Sequence, residues 1–137
     1  MKLKQIWANL AVEDIEKTKA FYLKLGFKLN GTPSMELVSF LFGEEEFVIH
    51  FFEKDALKRS IEGDTANLKR GNEIMFTLAA DSKEEIDLFA EKVRKSGGTI
   101  RYNPKKDKKK FYDENGYYVC VFEDPDGHLF NLFYNMN

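Results

Sequence analysis

Two polar side chains of this sequence stand where they could carry out chemistry. His50 lies in the apolar run Phe47–Phe52, and Glu73 directly precedes the apolar segment Ile74–Phe76. A histidine between apolar residues is either a metal ligand or a pocket histidine that is hydrogen-bonded to a neighbour. Glu73 is a metal ligand, a general base or a solvated carboxylate at the start of a strand. The residue pattern leaves these alternatives open, and both residues are candidate catalytic groups if the protein is an enzyme.

Nucleophilic catalysis receives no support from the sequence. The chain contains one cysteine and two histidines, His50 and His128. Cys120 lies in the apolar run Tyr117–Phe122, where an isolated thiol usually packs as a small buried hydrophobic group. A single cysteine excludes an internal disulfide, and neither a Ser–His–Asp nor a Cys–His pairing is indicated.

Composition narrows the function classes. A chain of 137 residues corresponds to about one domain, and its formal net charge of −2 argues against a general nucleic-acid-binding protein. The lysine-rich stretch Lys105–Lys110 is a local exception, which we interpret as a solvated loop rather than a site for an anionic partner. No leader peptide and no apolar segment long enough to span a bilayer are evident. We therefore expect a cytoplasmic protein without nucleic-acid or membrane partners.

The elements that must position these residues occur twice along the chain. In the first half, apolar side chains alternate through Gln5–Val12, which predicts a strand. Asp14 is the predicted N-cap of the helix that follows, and Gly26 ends that helix. Two more strands are predicted at Leu37–Phe42 and Phe47–Phe52, joined by a short turn.

The second half repeats this order. Glu73–Ala79 is predicted to form a strand, and Ser82–Glu85 has the pattern of a capping box at the start of an amphipathic helix. Gly97 and Gly98 end this helix. The remaining strands are predicted at Thr99–Tyr102, Tyr117–Glu123 and His128–Tyr134, and the last two are joined by the turn Asp124–Gly127.

An internal repeat of this size predicts an α+β protein built from two modules. Module one covers about residues 1–54, a polar connector covers residues 55–71, and module two covers about residues 72–137. We expect the two modules to form a single domain.

Three motifs resemble the vicinal oxygen chelate superfamily, which includes glyoxalase I, extradiol dioxygenases and bleomycin-resistance proteins. Asn9–Tyr22, followed by Leu25–Phe27, resembles the first strand and helix of that superfamily. Lys95–Thr99 resembles the end of its second helix, and Phe122–His128 resembles its closing hairpin. The resemblance implies a homodimer and two βαβββ modules that form a cupped mixed sheet with helices on its outer face. In the enzymes of the superfamily, side chains from four strand positions bind a divalent metal.

The positions that match these metal ligands are Trp7, His50, Glu73 and Asn131. Trp7 stands seven residues before Asp14, and an indole has no lone pair to offer a metal. The carboxamide of Asn131 is neutral and a poor substitute for an anionic ligand. Only His50 and Glu73 remain as good donors, whereas a catalytic zinc site normally has three protein ligands. We therefore expect no metal cofactor.

The positions that the resemblance places in the cup predict a small-molecule pocket. The predicted ligand-binding residues are Trp7, Asn9, His50, Phe52, Glu73, Met75 and Asn131, and Leu129 and Phe133 share their side of the strands. The leading prediction is a metal-free protein that binds a small aromatic or amphipathic molecule. The alternative is a lyase or dioxygenase that holds a divalent metal with His50, Glu73 and Asn131. A third alternative is a closed cavity in a protein that serves only protein contacts.

Overall fold

The structure is a computed structural model that describes residues 1–101, 110 and 114–137. Tyr102 and most of the lysine-rich stretch Lys105–Lys110 lie outside the described residues. The chain divides into two compact units, Met1–Asn67 and Leu68–Asn137, and the boundary between them falls inside the predicted connector. Each unit has its own sheet.

The first unit contains one four-stranded mixed sheet. Its elements are β1 (Ala8–Val12), α1 (Ile15–Lys24), β2 (Lys28–Leu29), β3 (Leu37–Phe42), β4 (Phe47–Glu53) and α2 (Lys54–Ile61). The strand order is β1-β4-β3-β2. β1 pairs with β4 in parallel, whereas the β4–β3 and β3–β2 pairs are antiparallel. The crossover through α1 is what allows the first and last strands of the unit to run side by side in the same direction.

The second unit repeats this topology. Its elements are β5 (Met75–Ala79), α3 (Lys83–Ser96), β6 (Thr99–Ile100), β7 (Tyr117–Glu123) and β8 (Leu129–Asn135). The strand order β5-β8-β7-β6 reproduces that of the first unit, with β5 parallel to β8. The two units confirm the predicted α+β class and the predicted pair of βαβββ modules.

An aromatic core lies between α1 and one face of the first sheet. Tyr22 of α1 is fully buried, and its ring stacks on that of Phe51 with the ring centroids 4.6 Å apart. Phe40 and Phe42 on β3 also contact the ring of Tyr22. Because side chains alternate along a strand, this packing assigns the odd-numbered positions of β4 to the core and leaves His50 and Phe52 on the opposite face.

The second unit buries its aromatic side chains in the same way. Phe122 stacks on Phe130 with the centroids 5.1 Å apart, and Phe89 of α3 and Phe76 of β5 contact this pair. Asn131, next to Phe130 on β8, therefore belongs to the face that is turned away from α3.

The predicted helix boundaries are confirmed by the hydrogen bonds of their caps. Asp14 Oδ1 accepts from the backbone N–H of Lys17 at 3.1 Å, and Ser82 Oγ accepts from that of Glu85 at 3.1 Å. Gly97 has a φ of +103°, a left-handed conformation that favours glycine and ends α3. No helix in the described part of the chain is both long enough and apolar enough to cross a membrane.

The connector and two strand starts differ from the prediction. Residues 54–61 of the connector region form α2, because Glu53 Oε2 accepts from the backbone N–H groups of Asp55 and Ala56 at 2.8 and 3.2 Å. Ala56 and Leu57 are buried, so a short apolar stripe anchors a segment that composition alone marked as polar. The first strand begins at Ala8 rather than at Gln5, and the strand predicted from Glu73 begins at Met75.

Candidate functional site

Strand register brings one group of predicted residues together in the first unit. Asn9 on β1 pairs with His50 on β4, and His50 pairs with Ser39 on β3. Residues paired in this way point to the same face of a sheet. Trp7 lies two residues before Asn9, and its indole is 5.8 Å from the His50 ring, centroid to centroid. Trp7, Asn9, Ser39, His50 and Phe52 thus form what we call the His50 face.

The imidazole of His50 is held by two rings and one hydroxyl group. Trp7 and Phe52 both meet it edge to face, with interplanar angles of 63° and 85° and with Phe52 at 5.9 Å. Its Nδ1 lies 2.7 Å from Ser39 Oγ. Ser39 is buried, and its Oγ also accepts a hydrogen bond from Asn30 Nδ2 at 3.1 Å. The ring is therefore oriented by Ser39 on β3 and by Asn30, which directly follows β2.

The environment of His50 favours the neutral imidazole. Burial lowers the pKa of His50 below its ordinary value of 6.5, because the charged form loses solvation. The ring is therefore uncharged at pH 7 and has one N–H group and one lone pair to use in hydrogen bonds. Trp7 is 47% exposed, so one of the rings that flank His50 is accessible to a molecule in solution.

A second group of predicted residues shares one face of the sheet in Leu68–Asn137. Met75 pairs with Leu129, Thr77 with Asn131, and Ala79 with Phe133. Asn131 is the polar residue of this face with the most unusual surroundings. Its Oδ1 is buried and has no hydrogen-bond partner among the described residues. An unpaired buried acceptor costs about 1–3 kcal/mol, so this oxygen is a candidate acceptor for a group that the chain itself does not supply.

Glu73 is not among the paired residues of β5 and β8. It is exposed and precedes β5 by two residues. Of the seven predicted ligand-binding residues, the structure thus groups Trp7, Asn9, His50 and Phe52 in the first unit, and Met75 and Asn131 in the second. Glu73 is in the second unit as well, at the entrance to its first strand.

Sequence reasoning missed the two residues that orient His50. Ser39 is the only polar residue of the strand Leu37–Phe42, and that interruption of an apolar run was a usable signal. Asn30 follows the two-residue strand β2 and has no comparable signal. Its side chain becomes informative only when the pairing of β2 with β3 brings it to Ser39.

The sequence matches the family model of the Glyoxalase/Bleomycin resistance protein/Dioxygenase superfamily over residues 4–132. The chain belongs to this superfamily. The match covers both modules, and it confirms the resemblance to vicinal oxygen chelate proteins. Among curated proteins, no sequence gives a significant match.

Solved structures of similar fold cover nearly the whole chain. A hypothetical protein from S. aureus has a TM-score of 0.80 and 29% sequence identity, with 98% of this chain and 95% of that chain covered. A glyoxalase-related enzyme from Fulvimarina pelagi has a TM-score of 0.75 and 18% identity, with coverages of 97% and 89%. A fosfomycin resistance protein, FosX, from Listeria monocytogenes in complex with Mn(II) and sulfate has a TM-score of 0.68 and 20% identity, with coverages of 98% and 92%.

The side chains at the four positions predicted to match the superfamily's metal ligands are a poor donor set for a divalent metal. Trp7 has no lone pair, and Asn131 offers only a neutral oxygen. Nδ1 of His50 is hydrogen-bonded to Ser39, which leaves Nε2 as the ring nitrogen that a metal could use. No cluster of three or more His, Cys, Asp or Glu side chains that could hold a metal ion occurs within residues 1–101, 110 and 114–137. The donor set therefore falls short of what zinc or non-heme iron requires.

The pKa of His50 can be measured through Trp7, which is the only tryptophan of the chain. An imidazolium quenches indole emission more strongly than a neutral imidazole. We expect the emission to fall as the pH decreases, with a midpoint below 6.5 because burial lowers the His50 pKa. The free energy of unfolding is expected to change in the same direction. The part of it that depends on a neutral His50 is fully present above pH 6.5 and is lost as the pH falls through the lowered pKa. A pH titration of fluorescence measures the midpoint, His50→Gln is expected to abolish the step, and a midpoint above 6.5 would contradict the prediction.

Replacing Asn131 tests whether its carboxamide is unpaired in the free protein. Asn131→Leu removes the buried oxygen with little change in side-chain volume. We expect the free energy of unfolding in urea to stay the same or to rise by about 1 kcal/mol. Asn135→Leu, at an exposed asparagine on the same strand and face, is the control. It removes an exposed hydrogen bond from the backbone N–H of Asn137 and is expected to change the free energy of unfolding by less than about 0.5 kcal/mol. A loss of more than about 1 kcal/mol on Asn131→Leu alone would show that the amide is engaged within the protein.

Proposed function

We propose that this chain is a glyoxalase/bleomycin-resistance-like protein that binds a small aromatic or amphipathic molecule without a metal ion. The observation that carries the proposal is the cluster of Trp7, His50 and Phe52, in which a half-exposed indole and a phenyl ring flank a neutral imidazole. Small-molecule sites typically combine such aromatic walls with a few directed polar groups.

Polar groups beside the rings of Trp7 and Phe52 would make the site selective among aromatic molecules. Ser39 orients the His50 ring, so the ring presents its remaining nitrogen in a defined direction. The first unit thus offers flat apolar area together with a small number of fixed hydrogen-bonding groups.

The residues at two of the predicted metal-ligand positions also support the proposal. The chain has an indole and a carboxamide at two positions where enzymes of the superfamily are expected to have metal ligands. An indole adds a large planar surface for stacking and a single N–H donor. The substitution thus exchanges a metal ligand for a group that recognises organic molecules. We further propose that the protein acts as a homodimer, which sedimentation analysis would detect.

Direct binding measurements test this function. The probes are substituted benzoates, benzamides, phenols, indoles and alkylammonium ions, titrated against Trp7 fluorescence and confirmed by calorimetry. We expect at least one class to bind with a 1:1 ratio per chain. Trp7→Leu and His50→Gln should each weaken its binding by about tenfold or more, or about 1.4 kcal/mol, because each removes a contact with the ligand.

The control variant is Leu88→Ala on α3, which removes an apolar side chain that is 69% exposed and lies outside both sheets. It should bind the probe as the native protein does. Equal binding by the native protein and both His50-face variants would reject the proposed site. Binding of no probe class would favour the alternative in which the cavity is closed and the fold serves protein contacts.

A metal-dependent lyase or dioxygenase is the second candidate. It is favoured by the Mn(II) complex of the similar Listeria FosX structure and by the presence of His50 and Glu73 at ligand positions. Under this alternative, the metal would polarise an oxygen of the substrate as a Lewis acid.

Metal analysis separates the two candidates. The protein is purified without a histidine tag, dialysed against buffer containing Zn(II), Ni(II), Mn(II) or Fe(II), and analysed by mass spectrometry of its metal content. Because only two good donors stand at the ligand positions, we expect clearly less than one equivalent of each metal. Near-stoichiometric metal that disappears in His50→Ala, together with metal-stimulated turnover of a hemithioacetal or a catechol, would establish the enzyme instead.

A further inference from the structure

The hydrogen bonds around Ser39 determine which nitrogen of His50 carries the proton. Ser39 Oγ lies 3.1 Å from Asn30 Nδ2 and 2.7 Å from His50 Nδ1. The amide nitrogen of Asn30 can only donate, so it uses one of the two lone pairs of Oγ. A serine hydroxyl group has a single proton of its own.

Burial leaves that proton one acceptor in the network. Ser39 is 5% exposed, so water does not compete for its hydroxyl group. Among the contacts that the structure shows for this hydroxyl, Nδ1 of His50 is the one that could accept its proton. The direction of the network is therefore Asn30 to Ser39 to His50. Because the ring is neutral, a bare Nδ1 places its only proton on Nε2.

We infer that Ser39 and Asn30 are positioning residues that fix His50 as the Nε2–H tautomer, and that the His50 face therefore selects ligands with an acceptor oxygen, namely carboxylates and carbonyl compounds. The choice of ligand class rests on the proposed binding function, whereas the tautomer is a property of the free protein. Trp7 strengthens the same preference, since its indole nitrogen can donate but cannot accept.

This tautomer also explains why the His50 face differs from a metal site. A metal-binding histidine offers one ring nitrogen to the metal and normally donates its other N–H to a neighbouring group. Here Ser39 donates to Nδ1, and Nε2 is occupied by its proton. The same side chain that would be a ligand in a metalloenzyme is thus held as a hydrogen-bond donor by Ser39 on β3 and by Asn30, which follows β2.

Nitrogen NMR of histidine-labelled protein tests the tautomer without any ligand. The chain has only two histidines, and the signals that vanish in His50→Gln belong to His50. At a pH where the ring is neutral, we expect a protonated Nε2 and a bare Nδ1 for His50. A protonated Nδ1 in the native protein would overturn the inference.

Two variants separate a positioning role from a general structural role. Asn30→Asp has a similar shape but can only accept, so Ser39 should turn its hydroxyl group toward Asp and receive the proton of Nδ1, which reverses the tautomer. Ser39→Ala removes the hydroxyl group that links Asn30 to His50 and should give averaged signals of both tautomers. It also serves as the decisive variant if Asn30→Asp does not fold, as judged by circular dichroism. Native-like His50 signals in folded Ser39→Ala would overturn the inference.

Ligand preference is then measured with benzoate and benzylamine, which share a ring and differ in the hydrogen-bonding character of their polar group. The native protein should bind benzoate at least about tenfold more tightly than benzylamine, and Asn30→Asp should reduce this ratio. A preference for benzylamine would overturn the ligand class. If the tautomer is as inferred but no aromatic probe binds, the proposed binding function fails and the positioning role of Ser39 and Asn30 stands.

Discussion

The stacking of Tyr22 on Phe51 determines which face of β4 meets α1, and the chemistry of the first unit depends on that choice. Side chains alternate along a strand, so a slip of one residue would exchange the two faces completely. His50 would then point into an aromatic core, and Phe51 would take its place beside Trp7. The fully buried ring of Tyr22, in contact with Phe40, Phe42 and Phe51, opposes such a slip through a large packing energy. The register that presents His50 is therefore a consequence of ring packing on the other side of the sheet.

The same constraint explains how much of the fold could be predicted from the sequence. Short apolar runs locate β3 and β4, and helical patterns locate α1 and α3, because burial requires apolar residues at these spacings. Caps such as Asp14 and Ser82 are recognised because each binds a backbone N–H group only three residues later in the sequence. By contrast, α2 depends on the side chain of Glu53 and on two buried residues in an otherwise polar segment, so its short apolar stripe is not visible in composition. Trp7 and Glu73 stand just outside strands whose ladders begin one and two residues later.

The candidate site was partly predictable as well, and the missing part is long-range. Strand parity places His50 and Phe52 on one face of β4, and the resemblance to the superfamily adds Asn9 to that side before any coordinates are known. The partners of His50 were not predicted, since Ser39 and Asn30 reach it only through the pairing of three strands. Predicting the direction of the hydrogen bonds among Asn30, Ser39 and His50 requires still more information, because these donors and acceptors are far apart in the sequence. This explains why a ligand position can be identified from the sequence while its protonation state cannot.

Glu53 links the strand that carries His50 to the helix that follows it. It is the last residue of β4, and its carboxylate also caps α2 through Asp55 and Ala56. Glu53 thus belongs to the strand through its backbone and to the helix through its carboxylate, so a displacement of Glu53 from β4 would also disturb the cap of α2. We therefore expect the end of β4 and the first turn of α2 to exchange amide protons with solvent deuterium at similar rates. Local fluctuations of α2 would thus reach the sheet three residues away from His50.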